Sequence, residues 1–552
     1  MMGKEQVEHI IEQTEGARVV TDFAPFDGGG LTGRIAVNAG EGGKEIEWEV
    51  RISSCYPFKV MGEEPIKFVN KELMDYPHIM EEGNLCMHPA VYDNAEAQLT
   101  HDLEQLKEWV DKYYVRGERN EHYEHLVVNR TLTRKTYYNV WFADTERDIN
   151  VGDYGEVSFA VMSDGRLLGN VTTTLLVTAY ESHQYFKSEK NQCKVSKTYR
   201  DLAKCSGVYC MLKEIPSVHN KFIIRAYREL ERLMSQQQMD FLHSFENHYR
   251  GDKGFFPLMV GYKIPDGSIH WQAAMLFMDD LPIEGYKMGA GKYREWHTKF
   301  VNGKIEWAHT ENVSYHHFFG RGSMTKELAD KKMLVIGIGA IGSMVAVVLT
   351  RCGARYVNLN DIDIKESGNV CRSEYRFIAG GGDKSVELLI ALRHISPHVE
   401  CEIVSPVLDM GVKGLSVTET GREAVMKKLE EYDIIFDCTS DNQLMQVLDG
   451  LDYKGRIVNL SITNHAQDLV CAFSPNVSRT VRFIYEMLGR DSEQDLYNPT
   501  GCWAPTFKAS YNDIASKVQY AMKRVIKMLG NEEPIGNFYL SEDENSLKMV
   551  RV

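Results

Sequence analysis

The chemistry of this chain gathers in three short runs. The first is Gly337-Ile338-Gly339-Ala340-Ile341-Gly342, set between an apolar run, Lys332 to Ile336, and a helical pattern reaching about Arg351. Glycines at this spacing let a backbone approach phosphate oxygens, and the helix that follows offers unpaired N–H groups and the positive end of its dipole. Behind it come Asp361, Asp363, Asn369, Arg372, Lys384 and Asp441. The second run is Asn498-Pro499-Thr500-Gly501-Cys502-Trp503-Ala504-Pro505, where glycine before and proline after the cysteine mark an exposed turn. It stands just ahead of a helix expected from about Tyr511 to Leu529, and a thiol near a helix N-terminus has its thiolate stabilised. The third is Tyr76-Pro77-His78-Ile79-Met80-Glu81-Glu82-Gly83-Asn84-Leu85-Cys86.

The glycine run by itself favours a nicotinamide dehydrogenase, with Asp361 at the next strand end binding ribose hydroxyls. Its followers favour another chemistry. Hydride transfer needs a flat apolar slot and a proton donor. Arg372 and Lys384 instead bring two cations for phosphate charge, and Asp441 brings a carboxylate at a strand end for magnesium. That set suits ATP and Mg2+. In an adenylation a carboxylate attacks the α-phosphorus and pyrophosphate leaves; a thiolate then captures the reactive acyl group and keeps much of its activation. An inert Rossmann-type domain and a packed loop cysteine are the plainer readings of the same residues.

The elements that must position these groups show in the pattern. With 552 residues the chain is too long for one domain, and a length of about 150 per domain suggests three or four. Hydrophobic residues at 43% and charged residues at 26% match a globular protein. No stretch approaches the ~20 apolar residues that span a bilayer, and the N-terminus turns polar at once, so cytoplasmic residence without a membrane is expected. The net charge of −15 disfavours general nucleic-acid binding. Eleven cysteines without a Cys-x-x-Cys pair suit reduced thiols rather than disulfides or zinc ribbons. Residues 5–15 read as a short helix, Ile46 to Ile52 alternates like a half-buried strand, and 100–114 has amphipathic spacing with Thr100 as its N-cap. From 126 to 320 strand-like runs such as Thr172 to Val177 accompany a helical stretch near 221–245. Neither His316-His317 nor the isolated histidines have metal-ligand spacing, so this part reads as a linking or docking domain. From 331 the pattern becomes βαβ, with further apolar runs at 432–437 and 456–460, and a mostly parallel sheet is expected.

The run Leu334 to Ser343, followed by Asp361-x-Asp363, Asn369-x-x-Arg372 and Lys384, resembles the adenylation domain of ubiquitin-activating enzymes and their bacterial ThiF/MoeB relatives. The resemblance implies that Asp361 holds the ribose, Arg372 and Lys384 the phosphates, and Asp441 magnesium, while Asn369 orients the phosphates. Cys371-Arg372-Ser373 departs from the family's Asn-Arg-Gln style, and Asp437 to Asp441 is one residue longer than the bacterial form; neither change removes a charged group. Members often donate an arginine across a homodimer from ahead of the first strand, where Arg321 roughly stands. The Cys86 run looks like the active-site run of ubiquitin-conjugating enzymes, with Pro, Ile, Gly and Cys in register. His78 takes the place of the family's asparagine. It would support the oxyanion, deprotonate the amine, or only prop the loop.

Taken together the fold class is α/β. A ubiquitin-conjugating-like α+β domain is expected over 1–125, a mixed α/β linking domain over 126–320, and a Rossmann-like ThiF adenylation domain with its catalytic cysteine over 321–552. That order resembles the fused ligases of bacterial antiphage (CBASS) operons. The resemblance implies ATP-dependent activation of a partner's free C-terminus, that of a cGAS-like nucleotidyltransferase. Thioesters on Cys502 and then Cys86 follow, and finally conjugation to an amine. A sulfur-carrier adenylyltransferase, an NAD-dependent oxidoreductase and a silent scaffold remain the alternatives.

Overall fold

The computed structural model describes the chain except residues 1, 28, 41–43, 81, 88–91, 93, 120–131, 168–169, 184–189, 220–221, 249–253, 266, 290–294, 302, 378–381, 405–417, 490–496, 498–506 and 544–545. Its elements are organised around three sheets. In the N-terminal group, α1 (Lys4–Gln13) precedes an antiparallel meander of β1 (Ala17–Pro25), β2 (Leu31–Asn38), β3 (Glu45–Ile52) and β4 (Ile66–Val69). The alternation in β3 places Ile46, Trp48, Val50 and Ile52 inward, against Val7 and Ile11 of α1 and Leu99, Leu103 and Leu106 of α2 (Ala95–Trp109). The start of α2 differs from expectation. Asn94, whose Oδ1 accepts from the Ala97 N–H at 2.9 Å, is the cap, while Thr100 sits inside the helix with its hydroxyl on Glu96 O. The first turn faces solvent, so the apolar spacing that marks the helix in sequence begins only at Leu99. Past Trp109 the helix widens into a π-helical turn, Val110–Val115.

The middle sheet has nine strands. Seven form its path in the order β10-β9-β8-β6-β7-β5-β11: β5 (Thr136–Phe142), β6 (Tyr154–Leu167), β7 (Asn170–Ser182), β8 (Ala203–Met211), β9 (Phe255–Lys263), β10 (Ile269–Phe277) and β11 (His309–Asn312). Short α3 (Lys197–Asp201) precedes β8. The single helix expected near 221–245 is two helices, α4 (Tyr227–Glu231) and α5 (Gln236–His248). Ser235 breaks them: its hydroxyl accepts from Gln238 N at 3.3 Å while Gln238 Oε1 accepts from Ser235 N at 2.9 Å, a reciprocal cap that starts a new helix.

The C-terminal sheet runs β13-β12-β14-β15-β16-β17-β18, from β12 (Lys332–Ile336), β13 (Tyr356–Asn360), β14 (Ile434–Asp437), β15 (Arg456–Thr463), β16 (Asp468–Phe473), β17 (Phe538–Asp543) and β18 (Ser546–Arg551). The first four in this order are parallel, and the other three join antiparallel, so the sheet is more mixed than the βαβ pattern suggested. Successive residues of β12 feed opposite faces. Met333 and Val335 pack with α6 (Ala340–Arg351), α7 (Lys384–Ile395) and α11 (Tyr511–Leu529); Leu334 and Ile336 pack with α8 (Glu419–Leu429), α9 (Asn442–Asp449) and α10 (Val477–Leu488). A parallel sheet covered on both faces is a Rossmann-like α/β fold. Among the described residues no helix is long and apolar enough to cross a membrane.

The middle and C-terminal sheets meet at α3 and the end of α7. Ser196 N donates to Pro397 O at 2.7 Å, Lys197 N to Glu400 Oε1 at 2.8 Å, and the Tyr199 hydroxyl to Arg393 O. At the centre His398, 6% exposed, has Nδ1 3.1 Å from Lys194 O and Nε2 2.7 Å from Val313 O. Burial pushes its pKa below the usual histidine value despite the pull of these two carbonyls. The folded state therefore resists a proton that the unfolded chain accepts, so this stability is fully present above the unfolded value of about 6.5 and is lost as pH falls from there through the lower folded value. Thermal midpoints measured from neutral to mildly acidic pH should fall more steeply for the wild-type protein than for His398→Gln, which keeps one donor and cannot titrate. Parallel pH profiles for the two would contradict this.

Candidate active site

The glycine turn joins β12 to α6, and its three glycines serve different needs. Gly337 has φ +77°, and a Cβ there would lie 2.7 Å from Thr439 Cγ2. At Gly342 a Cβ would come 2.0 Å from the Gly337 carbonyl oxygen, so only glycine lets α6 start this close to the strand. Gly339 is the opposite case: nothing lies within 4 Å of where its Cβ would be. It is the N-cap of α6, and no side chain caps the first N–H groups of that helix.

Asp361 closes the turn from β13. Its Oδ2 accepts from the Ile338 N–H and its Oδ1 from the Asp363 N–H, each at 2.8 Å. Burial raises its pKa, opposed by those bonds and by the charge of Lys384. The exposed carboxylate at this strand end is thus Asp363, with a side chain 63% accessible and paired with the Lys384 ammonium at 3.0 Å. Lys384 itself is buried at the first position of α7. From β14, fully buried Asp437 accepts from Thr439 N at 3.1 Å, Thr439 Oγ1 at 2.7 Å and Asn459 Nδ2 at 3.0 Å, and burial lifts its pKa. Thr439, thereby fixed, is the residue that abuts Gly337. Asp441 caps α9, its Oδ1 accepting from Gln443 N at 2.8 Å and Leu444 N at 3.1 Å.

Arg372 ends a 3-10 turn, Ser367–Arg372, in which Asn369 Oδ1 accepts from Glu366 N at 2.9 Å. Its guanidinium donates to Phe507 O at 3.3 Å and lies 5.7 Å from the Phe507 ring centroid. The chain beyond it is pinned to the glycine turn: Glu374 N donates to Ser343 Oγ at 3.2 Å, and the Tyr375 hydroxyl to Ile338 O at 2.5 Å. The structure therefore brings Gly337, Gly339, Gly342, Asp361, Asp363, Arg372, Lys384 and Asp441 to one end of the parallel strands. Thr439 and Tyr375, which hold that arrangement, had no spacing to announce them. For a hard cation the donor set is carboxylate oxygen. Among the described residues no group of three or more His, Cys, Asp or Glu gathers for a metal. Mg2+ is ordinarily held by one or two carboxylates with substrate phosphates, and Asp441 beside the turn fits that role. Cys502 lies outside the described residues.

The Cys86 region is built on the edge of β4. Asn70 N donates to Gly83 O at 2.9 Å, Cys86 N to His78 O at 2.8 Å, and Ile79 and Leu85 bridge across the loop. Gly83 has φ +85°, and a Cβ there would press on the Lys71 backbone nitrogen at 3.0 Å. His78 is itself left-handed, φ +60°, a conformation costly for a residue with a Cβ. Two aromatics from α2 and its π-helical turn steady it: Trp109 Nε1 donates to Pro77 O at 2.8 Å, and the Tyr113 hydroxyl lies 2.9 Å from His78 Nε2. A cleft of about 90 Å³, lined by His78, Cys86, Gln105, Glu108, Lys112 and Tyr113 among others, opens beside the exposed thiol.

Residues 310–450 match the family model described as the ThiF family. The match covers β12, β13 and β14 of the C-terminal sheet with helices α6 to α9. The chain is also 26% identical over 337 residues to the ATP-dependent ubiquitin transferase-like protein Cap2 of Enterobacter hormaechei subsp. hoffmannii (strain UCI 50), covering 56% of this chain and 54% of that protein. The chain thus spans about half the length of that curated relative. Ubiquitin-like modifier-activating enzyme 5 of Caenorhabditis briggsae is 36% identical over 78 residues, 14% of this chain and 18% of that one. A crystal structure of E. coli MccB with succinimide is similar over 41% of this chain and 65% of its own, at 15% identity and a TM-score of 0.29, a likeness too slight to argue from.

The glycine geometry of the ThiF domain yields a graded expectation. Gly337→Ala and Gly342→Ala should each destabilise the fold by roughly 1–3 kcal/mol, from strain and overlap. Gly339→Ala should stay within about 0.5 kcal/mol of wild type. Thermal unfolding of the three variants checks this, and an equal loss in all three would contradict the open space assigned to Gly339.

Proposed function

We propose that this chain is an ATP-dependent ligase that activates a protein C-terminus and passes it through two thioesters to an amine. The observation that carries the reading is the uncapped start of α6 at Gly339, in a turn to which Asp361 is bonded and, beyond it, the Asp363–Lys384 pair. Arg372 follows on the same β13–α7 connection, and Asp441 begins α9 after β14. Such a set suits a triphosphate with a divalent cation. Support comes also from the ThiF match and from a relative whose name describes an ATP-dependent ubiquitin transferase-like protein.

In the proposed reaction a carboxylate oxygen of the partner's C-terminus bonds to the α-phosphorus while the bond to pyrophosphate breaks. Arg372 and Lys384 balance the phosphate charge, and the α6 N-terminus orients it. Mg2+, held through Asp441, would supply further charge neutralisation. The Cys502 thiolate then displaces AMP from the acyl carbon, Cys86 displaces Cys502, and an amine displaces Cys86 to leave an amide. Residues 1–125 form the conjugating-like domain of this scheme, 126–320 the linking domain and 321–552 the adenylating one. The partner in this reading is a cGAS-like nucleotidyltransferase, the setting is antiphage defence in the cytoplasm, and the enzyme works as a homodimer in which exposed Arg321 reaches the second copy.

Lys384→Ala should slow partner-dependent ATP–pyrophosphate exchange by roughly 10²-fold. On non-reducing gels, Cys502→Ala should abolish every thioester, and Cys86→Ala should accumulate the adduct on Cys502. Normal charging of Cys86 in Cys502→Ala would show that the relay is wrong. Tight binding of NAD without affinity for ATP would remove the reading altogether.

A further inference from the structure

The candidate phosphate ligands hang on a long excursion. Between β13 and α7 the chain leaves the sheet at Asp361 and returns only at Lys384, carrying Asn369 and Arg372 on the way. A connection of this length is entropically loose unless side chains fix it. Its mouth is closed by backbone contacts: Lys365 N donates to Gly382 O at 2.8 Å, and Ile364 and Asp383 form an antiparallel bridge.

Inside that mouth lies a buried ion pair that the reaction does not use. The Lys365 side chain is 1% accessible and pairs with Glu387, 14% accessible, on the first turn of α7. Both partners also reach one residue of the excursion. Lys365 Nζ donates to the Arg376 carbonyl at 2.5 Å, and Glu387 Oε1 accepts from the Arg376 N–H at 2.7 Å. The two peptide groups of Arg376 are therefore both satisfied by the pair. Next to it stand Tyr375 and Glu374, already clipped to Ile338 and Ser343.

The charge order is specific. Asp363 pairs with Lys384, and two residues along the loop Lys365 pairs with Glu387, three along the helix. Sliding the loop along α7 by one rung would set Asp363 against Glu387 or Lys365 against Lys384, like charge on like. A buried pair adds little stability over a well-packed apolar pair, but it can specify one register.

We propose that Lys365 and Glu387 are positioning residues that lock the loop carrying Asn369 and Arg372 in register with the helix carrying Lys384. They set the phosphate ligands without touching the phosphates. The claim rests on the nucleotide reading above. It is tested with Lys365→Met combined with Glu387→Met, which keeps volume and removes both grips on Arg376. The full-length variant should keep a near-wild-type thermal midpoint, while its KM for ATP in pyrophosphate exchange rises about tenfold or more. The reversed pair, Lys365→Glu with Glu387→Lys, should not rescue the KM, because it turns an ammonium toward the Arg376 N–H and a carboxylate toward its carbonyl. Glu387→Gln keeps the acceptor and should fall between. A wild-type KM in the double-methionine variant overturns the proposal, as does full rescue by the reversed pair. Hydrogen exchange without nucleotide separates the two layers of the argument. The Arg376 amide should be protected in wild type and exchange faster in the double-methionine variant; unchanged protection overturns the clamp. Absence of ATP binding by the wild type would instead remove the nucleotide reading, whatever the amide does.

Discussion

The glycine-turn end of this molecule depends on how closely α6 approaches the end of β12. Gly342 lets the helix begin against the Gly337 carbonyl, and Gly337 lets the strand end against Thr439, with no side chain able to intervene. Asp361, Tyr375 and Ser343 then attach the neighbouring loops to the same turn through single hydrogen bonds. Each is worth only about 1 kcal/mol on balance. Together they tie the end of β13 and the connection that follows it to the turn at the end of β12.

The parts of this arrangement legible in the sequence are those set by local periodicity. β12, β13, α6 and α11 stand where the apolar spacing put them, because each buries one face or both in a single core. Thr100 misled for the converse reason: the first turn of α2 is solvated, so hydrophobic spacing starts one turn late and Asn94 escapes notice. The strand order of the middle sheet was not readable, since β5 pairs in parallel with β7 and β11 across long stretches of chain that no local signal records. Site residues showed themselves when they belonged to a spaced run, as Gly337, Asp361 and Arg372 do. Lys365, Thr439 and Tyr375 act through contacts made only in the folded chain, and Lys365 in particular reads as an ordinary surface lysine.

Among the described residues, different kinds of contact join the three groups of elements. The middle and C-terminal sheets share buried backbone bonds and a histidine seated between two carbonyls, an interface that resists sliding. The N-terminal group meets the middle one through His219 Nδ1 and Asp75 Oδ1, 3.1 Å apart and both exposed. A surface pair of this kind contributes at most about 1 kcal/mol.

In the proposed nucleotide reading, the charges around Lys384 explain how a chain of net charge −15 would hold a polyanion. Lys384 is buried, and an unpaired buried ammonium is costly. Asp363 meets that need in the absence of ligand and keeps the ammonium extended toward the strand end. Because the Asp363 carboxylate is 63% accessible, water can take over its hydration when a phosphate oxygen replaces it. The exchange therefore trades one anion for another at a lysine already in place, and its cost falls on the exposed partner, where it is small. The Lys365 counterion differs: Glu387 is 14% accessible, far less than Asp363 at 63%. Two lysines on one loop–helix junction thus have opposite tasks, one available for exchange and one held fixed, and burial of the paired carboxylate decides which is which.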